Sequence, residues 1–177
     1  MEPAEFRAIF LSGDAVYVRA YVERDKEVTA AWAGTPFPVG APRGEKLLED
    51  WHREWRPRTR HYALCRAESH EVVGGVIVGI RHLVAEFMVT TAVWVADSDE
   101  IRAAAFSLIV PWLAEEWGMI SVLGHVASDE PACRAAAVAL GMTHQATLRE
   151  FFARPGGARA DDLLYQKLGR IEGGSDA

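Results

Sequence analysis

Residues 87–126 read FMVTTAVWVADSDEIRAAAFSLIVPWLAEEWGMISVLGHV and predict a strand, a helix and a second strand. Residues 87–95 and 120–126 are rich in β-branched and aromatic side chains, which favour strands. The alanine-rich segment between them predicts a helix over residues 98–117. Pro111 should kink or split this helix, because proline has no amide hydrogen to donate. The stretch therefore predicts a helix that connects two buried strands.

Further elements are predicted on both sides of this unit. The strands are expected at residues 15–20, 61–66, 72–80, 143–152 and 162–168. The helices are expected at residues 23–32, 44–55 and 130–140, where apolar side chains recur at intervals of three and four. The resulting order, β-α-α-β-β-β-α-β-α-β-β, predicts a mixed α/β sandwich in which helices pack on one sheet.

The composition limits what kind of protein this is. A chain of 177 residues, half of them hydrophobic, predicts a single domain over residues 1–170 and a flexible polar tail over residues 171–177. The net charge of −6 argues against a nucleic-acid partner and favours a small molecule. No apolar run is long enough to span a membrane, so we expect a cytoplasmic protein without a membrane partner. We expect it to be a monomer or a homodimer. Two cysteines and six scattered histidines give no metal-binding spacing, and we expect no metal.

Three carboxylates stand at the start of the helix predicted over residues 98–117. Asp97 and Glu100 have the spacing of a capping box, and Asp99 lies between them. Acidic side chains stabilise the positive end of a helix dipole, but they would repel a phosphate placed at the same point. No glycine occurs anywhere from residue 80 to residue 117.

Short motifs along nearly the whole chain resemble those of the GCN5-related N-acetyltransferases, and in particular the branch that acetylates ribosomal-protein N-termini and antibiotics. In chain order the motifs are Val18-Arg19-Ala20-Tyr21 with Asp25, Tyr62-Ala63-Leu64, Val73-Gly74-Gly75-Val76, Leu140-Gly141-Met142, Leu148-Arg149-Glu150, and Asp161 with Tyr165. The resemblance implies a mostly antiparallel sheet with a central, splayed parallel strand pair, formed here by residues 89–95 and 120–126. It also implies acyl transfer from acetyl-CoA to an amine.

The resemblance assigns residues to the cofactor as well. The pantetheine arm would lie between the splayed strands, and the family's phosphate loop, Gln/Arg-x-x-Gly-x-Gly/Ala, would fall on residues 97–102. The loop glycine is replaced by Glu100, and the small residue that ends the loop is replaced by Arg102. Cys133 occupies the position of a serine that meets the thioester. The implied cofactor-binding residues are Val93, Trp94, Val95, Ile101, Arg102 and Cys133.

Acetylation of an ammonium group requires a base within hydrogen-bond reach. Glu86, at a strand end, and His125, with a pKa suited to neutral pH, are candidate catalytic residues. Glu130, where a strand turns into a helix, is a third. A solvated glutamate, a core histidine and a helix-capping glutamate are the ordinary alternatives for these three. Core packing explains most of the aromatic residues of the first two predicted helices and the loop between them. Among them, Trp32 and Phe37 are the candidates to line a substrate pocket for a flat or cationic substrate.

Three functions fit these patterns. The first is an N-acyltransferase for a small amine with weak or atypical acyl-CoA use, in which the donor is a pantetheine or carrier-protein thioester. The second is a protein of the same fold that has lost CoA and catalyses a CoA-independent biosynthetic step. The third is a non-catalytic module that binds a small molecule. Sequence favours the first, because the pantetheine slot depends on backbone groups rather than on particular side chains.

Overall fold

The computed structural model of the chain describes residues 9–25 and 59–169. The elements of this part are numbered in chain order. The strands are β1 (Ile9–Ser12), β2 (Val16–Ala20), β3 (Thr59–Arg66), β4 (Val72–Arg81), β5 (Val84–Thr91), β6 (Ser121–Ala127), β7 (Thr143–Ala153) and β8 (Arg159–Leu168). The helices are α1 (Ser98–Pro111) and α2 (Pro131–Ala139). Of the helix predicted at residues 23–32, only Glu23–Asp25 is described, as a 3-10 turn. The helix predicted at residues 44–55, residues 170–177 and the pocket candidates Trp32 and Phe37 lie outside the described residues.

The eight strands form one sheet in the order β1-β2-β3-β4-β5-β6-β8-β7. Every neighbouring pair is antiparallel except β5 and β6, which are parallel. This parallel pairing begins with Val84 opposite Ser121 and ends with Phe87 opposite Gly124. Beyond that point β5 stays paired with β4 and β6 stays paired with β8. The two strands therefore diverge halfway along the sheet, which confirms the predicted mixed fold with a splayed parallel pair.

Helix α1 packs against the sheet at the point of divergence. The ring of Phe106 lies 4.7 Å from that of Phe87, measured between centroids. A Cβ atom on Gly124 would lie only 2.9 Å from ring atoms of both phenylalanines, so the glycine makes room for their packing. Helix α1 ends at Pro111 and a π-helical turn, Trp112–Glu116, follows directly. The predicted interruption at this proline is confirmed.

Two local predictions differ from the structure. The strand expected at residues 87–95 runs instead from Val84 to Thr91, and the residues after it form turns. Val93 and Trp94 have side chains that favour strands, but they are 78% and 51% exposed there and no neighbouring strand among the described residues pairs with them. Strand β1 was not predicted at all. It pairs with β2 across a bulge near Leu11.

The segment that precedes the undescribed residues 26–58 is anchored by a buried ion pair. The guanidinium of Arg19 donates to both carboxylate oxygens of Asp25, at 2.6 and 3.0 Å, and both residues are 2% exposed. Asp25 also accepts the backbone N–H of Val22 at 2.9 Å. The Arg and Asp of the first sequence motif thus form one structural unit. Among the described helices, none is long and apolar enough to cross a membrane.

Candidate functional site

The divergence of β5 and β6 opens a cleft of about 400 Å³. Its walls are the end of β5 with the turn after it, the start of α1, the segment between β6 and α2, and the end of β7. A second, smaller pocket of about 220 Å³ is lined by Thr59, Ile77, Gly79, Glu86, Phe87, Met88 and His125. His125 also lines the cleft. Its imidazole therefore stands between the two cavities.

Two of the predicted catalytic residues meet at this point. Nε2 of His125 lies 2.8 Å from Oε1 of Glu86, and Nδ1 lies 2.6 Å from Oδ2 of Asp162. The side chain of Glu86 is 59% exposed, that of His125 is 9% exposed, and that of Asp162 is fully buried. The three side chains form a chain of hydrogen bonds from the small pocket into the sheet.

The surroundings of His125 act on its pKa in opposite directions. Burial lowers the pKa, whereas the hydrogen bonds and charges of Asp162 and Glu86 raise it, and the net result is a pKa above the ordinary value for histidine. The ring of Phe151 stacks on the imidazole, with centroids 6.3 Å apart and an angle of 18° between the planes. His125 is thus held in place on both edges and on one face.

Asp162 is a candidate site residue that the sequence patterns do not identify. It lies 37 residues from His125 in sequence, and only the pairing of β6 with β8 brings the two together. The available signal was an aspartate inside a predicted strand, where this residue type is depleted.

A second cluster of charges occupies the outer end of the cleft. Arg102 forms an ion pair with Glu130 and donates to Oγ1 of Thr91 at 2.6 Å. Arg154 donates to Glu130 at 2.8 Å and to both carboxylate oxygens of Asp129, at 2.6 and 2.9 Å. The side chain of Glu130 is only 7% exposed. Its catalytic role stays a prediction, and two guanidinium partners leave it poorly placed to accept a substrate proton.

Arg102 therefore crosses the gap between the end of β5 and the start of α2. Burial, and then the nearby charge of Arg154, lower the pKa of Arg102 to about 10. Its Nε atom is buried and has no hydrogen-bond partner within the described residues.

The carboxylates at the start of α1 do not form the expected capping box. Asp97 is the N-cap residue but makes no side-chain cap hydrogen bond. It pairs instead with Arg66 of β3, whose Nη1 donates at 2.8 Å. The hydrogen bond from Arg66, and to a smaller extent its charge, lowers the pKa of Asp97. Asp99 accepts the backbone N–H groups of Ala132 and Cys133, both at 2.8 Å. The capping-box prediction was wrong because Arg66, 31 residues away in sequence, takes the carboxylate of Asp97.

The remaining predicted cofactor residues differ in where they lie. Val93 and Val95 line the cleft, and they are 78% and 8% exposed. Trp94 is exposed on the turn after β5, whereas Ile101 is 3% exposed and belongs to the core. Cys133 is fully buried, and burial together with the charge of Asp99 raises the pKa of its thiol to about 12. It is therefore not a nucleophile at neutral pH. The described residues contain no group of side chains suited to a metal ion.

Comparison with solved structures gives several matches. A protein from Sphaerobacter thermophilus DSM 20745, named as an acetyltransferase, is 35% identical, with a TM-score of 0.72 over 92% of this chain and 98% of that one. RimJ of Mycobacterium smegmatis, in complex with CoA-disulfide, is 16% identical, with a TM-score of 0.66 over 90% and 85% of the two chains.

A spermidine N-acetyltransferase chimera, built from SpeG of Vibrio cholerae and hSSAT, is 18% identical, with a TM-score of 0.62 over 87% of this chain and 95% of the other. No protein-family profile and no curated protein matches the chain. The last two structures share the fold alone, whereas the first shares sequence over almost its whole length. Together with the splayed parallel pair, these matches show that the chain belongs to the GCN5-related N-acetyltransferase superfamily.

Proposed function

We propose that this protein is an N-acyltransferase that moves an acyl group from a thioester to a small amine. The observation that carries the proposal is the hydrogen-bonded chain of Glu86, His125 and Asp162, placed where β5 and β6 diverge and between two cavities. A group that can exchange protons with both cavities is what a reaction between two bound substrates needs.

The smaller pocket suits the amine. Its walls include the apolar side chains of Ile77, Phe87 and Met88, and its carboxylate is Glu86, whose side chain is more than half exposed. An ammonium group with a short apolar body would find both attraction and contact there. Glu86 is then the base that takes a proton from the amine as the nitrogen attacks.

The cleft suits the thioester arm, but its outer end does not suit the nucleotide half of acetyl-CoA. The small residue that the family places at position 102 is replaced by Arg102, which spans the strand gap to Thr91 and Glu130. A diphosphate at the start of α1 would have to displace Glu130 and Asp129 from the two guanidiniums. We therefore propose a donor with a pantetheine or carrier-protein thioester, and weak use of acetyl-CoA.

The donor proposal can be tested by comparing thioesters of different length. Acetyl-CoA, acetyl-pantetheine and S-acetyl-N-acetylcysteamine are offered with a panel of amines, which includes spermidine and short peptides with a free N-terminus. Amide product is measured by mass spectrometry. We expect the two short donors to give a kcat/KM at least equal to that of acetyl-CoA. A strong preference for acetyl-CoA would refute the atypical donor.

The role of Glu86 has its own test. Glu86→Gln removes the base while keeping the side-chain length, and should lower kcat by about 10²-fold or more. Glu68→Gln is the matched control, since Glu68 is an exposed residue outside both cavities. Equal activity of Glu86→Gln and Glu68→Gln would show that Glu86 is not the base. If the wild-type protein forms no amide with any donor and amine, the transferase proposal is refuted.

A second candidate function follows from the same arginine. If Arg102 closes the gap permanently, the protein is a member of the fold without CoA, either a CoA-independent biosynthetic enzyme or a small-molecule-binding module. Native mass spectrometry of freshly purified protein distinguishes the candidates. A co-purified thioester or thiol supports the transferase, and a different small ligand supports the second candidate.

A further inference from the structure

Asp162 is a carboxylate without exposure to water. Its Oδ2 accepts a hydrogen bond from Nδ1 of His125, and its Oδ1 is buried without a partner within the described residues. A buried carboxylate is costly unless a positive group or several donors compensate it. His125 is the compensating group that the structure provides.

The two hydrogen bonds of His125 fix its protonation. Glu86 lies beside one ring nitrogen and Asp162 beside the other, and a carboxylate accepts but does not donate when it is ionised. A neutral imidazole has one N–H and can satisfy one of them only, whereas an imidazolium satisfies both. The raised pKa of His125 agrees with this geometry.

No other charged group in the cleft competes for His125. Among the titratable cleft residues, Arg102 and Arg154 pair with Glu130 and Asp129, and Asp99 is bound by the start of α2. The contact from β7 is the uncharged ring of Phe151. The charge state of His125 is therefore set by Glu86 on β5 and Asp162 on β8.

We propose that Asp162 is a positioning residue that keeps His125 as an imidazolium, so that His125 is the general acid for the leaving sulfur while Glu86 is the general base for the amine. The inference rests on the proposed function and divides its proton chemistry between the two cavities. Cys133 does not compete for the acid role, since its thiol is buried and far less acidic than an imidazolium.

The protons balance over one cycle. The bound ammonium group first loses one proton to solvent. Glu86 then takes a proton from the neutral amine as the new C–N bond forms, so it no longer needs the hydrogen bond from Nε2 of His125. His125, which lines both cavities, gives the released Nε2 proton to the sulfur as the C–S bond breaks. Glu86 then returns its proton to Nε2 across the 2.8 Å hydrogen bond. The products are the amide and the thiol, no group is oxidised or reduced, and both side chains regain their starting charge.

The proposal is tested with Asp162→Asn, which keeps the shape of the side chain and removes its charge. Burial should then dominate, so the pKa of His125 should fall and the alkaline limb of the kcat profile should move to lower pH. We expect kcat to fall and both KM values to stay unchanged. Asp161→Asn, on the neighbouring residue of β8, is the matched control.

A change of leaving group separates an acid role from a structural one. His125→Gln should lose about 10²-fold or more in kcat with S-acetyl-N-acetylcysteamine. With S-acetyl-thiophenol the loss should be much smaller for both His125→Gln and Asp162→Asn, because an acidic thiol leaves without a proton. Equal losses with the two donors would overturn the acid role.

The titration of His125, followed by NMR, supplies a readout that needs no turnover. Its midpoint should drop in Asp162→Asn and stay in place in Asp161→Asn. An unchanged midpoint in Asp162→Asn would overturn the role of Asp162 even if the enzyme is active. If the wild-type protein acylates no amine, the proposed function fails and the acid role of His125 fails with it. If Asp162→Asn has normal turnover and an unchanged pH profile of kcat, only the role of Asp162 fails.

Discussion

Replacement of Glu130 by alanine should destabilise the fold strongly, because Glu130 holds two guanidinium groups in a poorly hydrated place. The side chains of Glu130, Arg102 and Arg154 are only 7%, 14% and 22% exposed. Removing one partner from a buried ion pair typically costs about 3–5 kcal/mol, since the remaining charge is left uncompensated. Arg154 keeps Asp129 and Arg102 keeps Thr91, so we expect the lower end, about 3 kcal/mol.

Thermal unfolding followed by circular dichroism measures this cost. For a chain of this size 1 kcal/mol corresponds to about 2–4 °C in Tm, so Glu130→Ala should lower Tm by about 6–12 °C. Asp129→Ala is the control. Its side chain is 51% exposed, and an ion pair of that kind contributes only about 0–1 kcal/mol. Replacing both members of the inner pair, in Arg102→Met/Glu130→Leu, should recover much of the loss because no buried charge is then left alone.

The comparison of Tm between Glu130→Ala and Asp129→Ala tests whether the buried ion pairs carry this stability. If Glu130→Ala lowers Tm no more than Asp129→Ala does, the buried network does not carry the stability attributed to it. A double variant that is less stable than Glu130→Ala alone would contradict the same reasoning, since it would show that the uncompensated guanidinium is not the main cost.

Three further outcomes follow from the structure. Asp99→Ala removes the acceptor of two N–H groups at the start of α2 and should cost about 1–2 kcal/mol in urea unfolding, while exposed Glu100→Ala should change stability by less than about 0.5 kcal/mol; equal effects would argue against the cap. Gly124→Ala places a methyl group 2.9 Å from the ring of Phe106 and should cost about 1–3 kcal/mol in the same measurement, so wild-type stability would show that the rings yield freely. Cys133 should resist iodoacetamide in the native protein at mildly alkaline pH and react only after unfolding, because it is buried and burial raises the pKa of its thiol to about 12. Rapid labelling of the native protein, detected by peptide mass spectrometry, would contradict this.

The elements predicted best are those whose signals are local. Pro111 and Gly141 mark the ends of α1 and α2 within one or two residues. Pro111 has no N–H to donate to the helix, and Gly141 adopts a positive φ of 77°. The end of β5 was misplaced because Val93 and Trp94 have strand propensity but lie on an exposed turn. Strand propensity reports what fits a pleated, half-buried surface, and sequence does not say whether such a surface is present.

The candidate site could be predicted only in part, because sequence carries local signals but does not show contacts between distant residues. Residue type and position at the predicted splayed strands identify Glu86 and His125 as candidates, and the structure brings them together. Asp162 and Arg154 were missed, since their partners are 24 to 37 residues away in sequence. The acidic start of α1 was recognised, but the neutralisation of Asp97 by Arg66 depends on a contact between β3 and the helix start that no local pattern reveals.

The ring that covers His125 comes from a peripheral part of the sheet. Strand β7 is the outermost strand beyond β8, and its pairing with β8 is interrupted between Leu148 and Phe152, where Glu150 adopts a φ of 52°. Phe151 sits in this irregular segment and is 47% exposed. Substitutions of Phe151 would change the ring that stacks on the imidazole without disturbing the packed interior. The ring that covers the proposed general acid therefore lies apart from the packed residues that keep the molecule folded, and natural variation can replace it at little cost in stability.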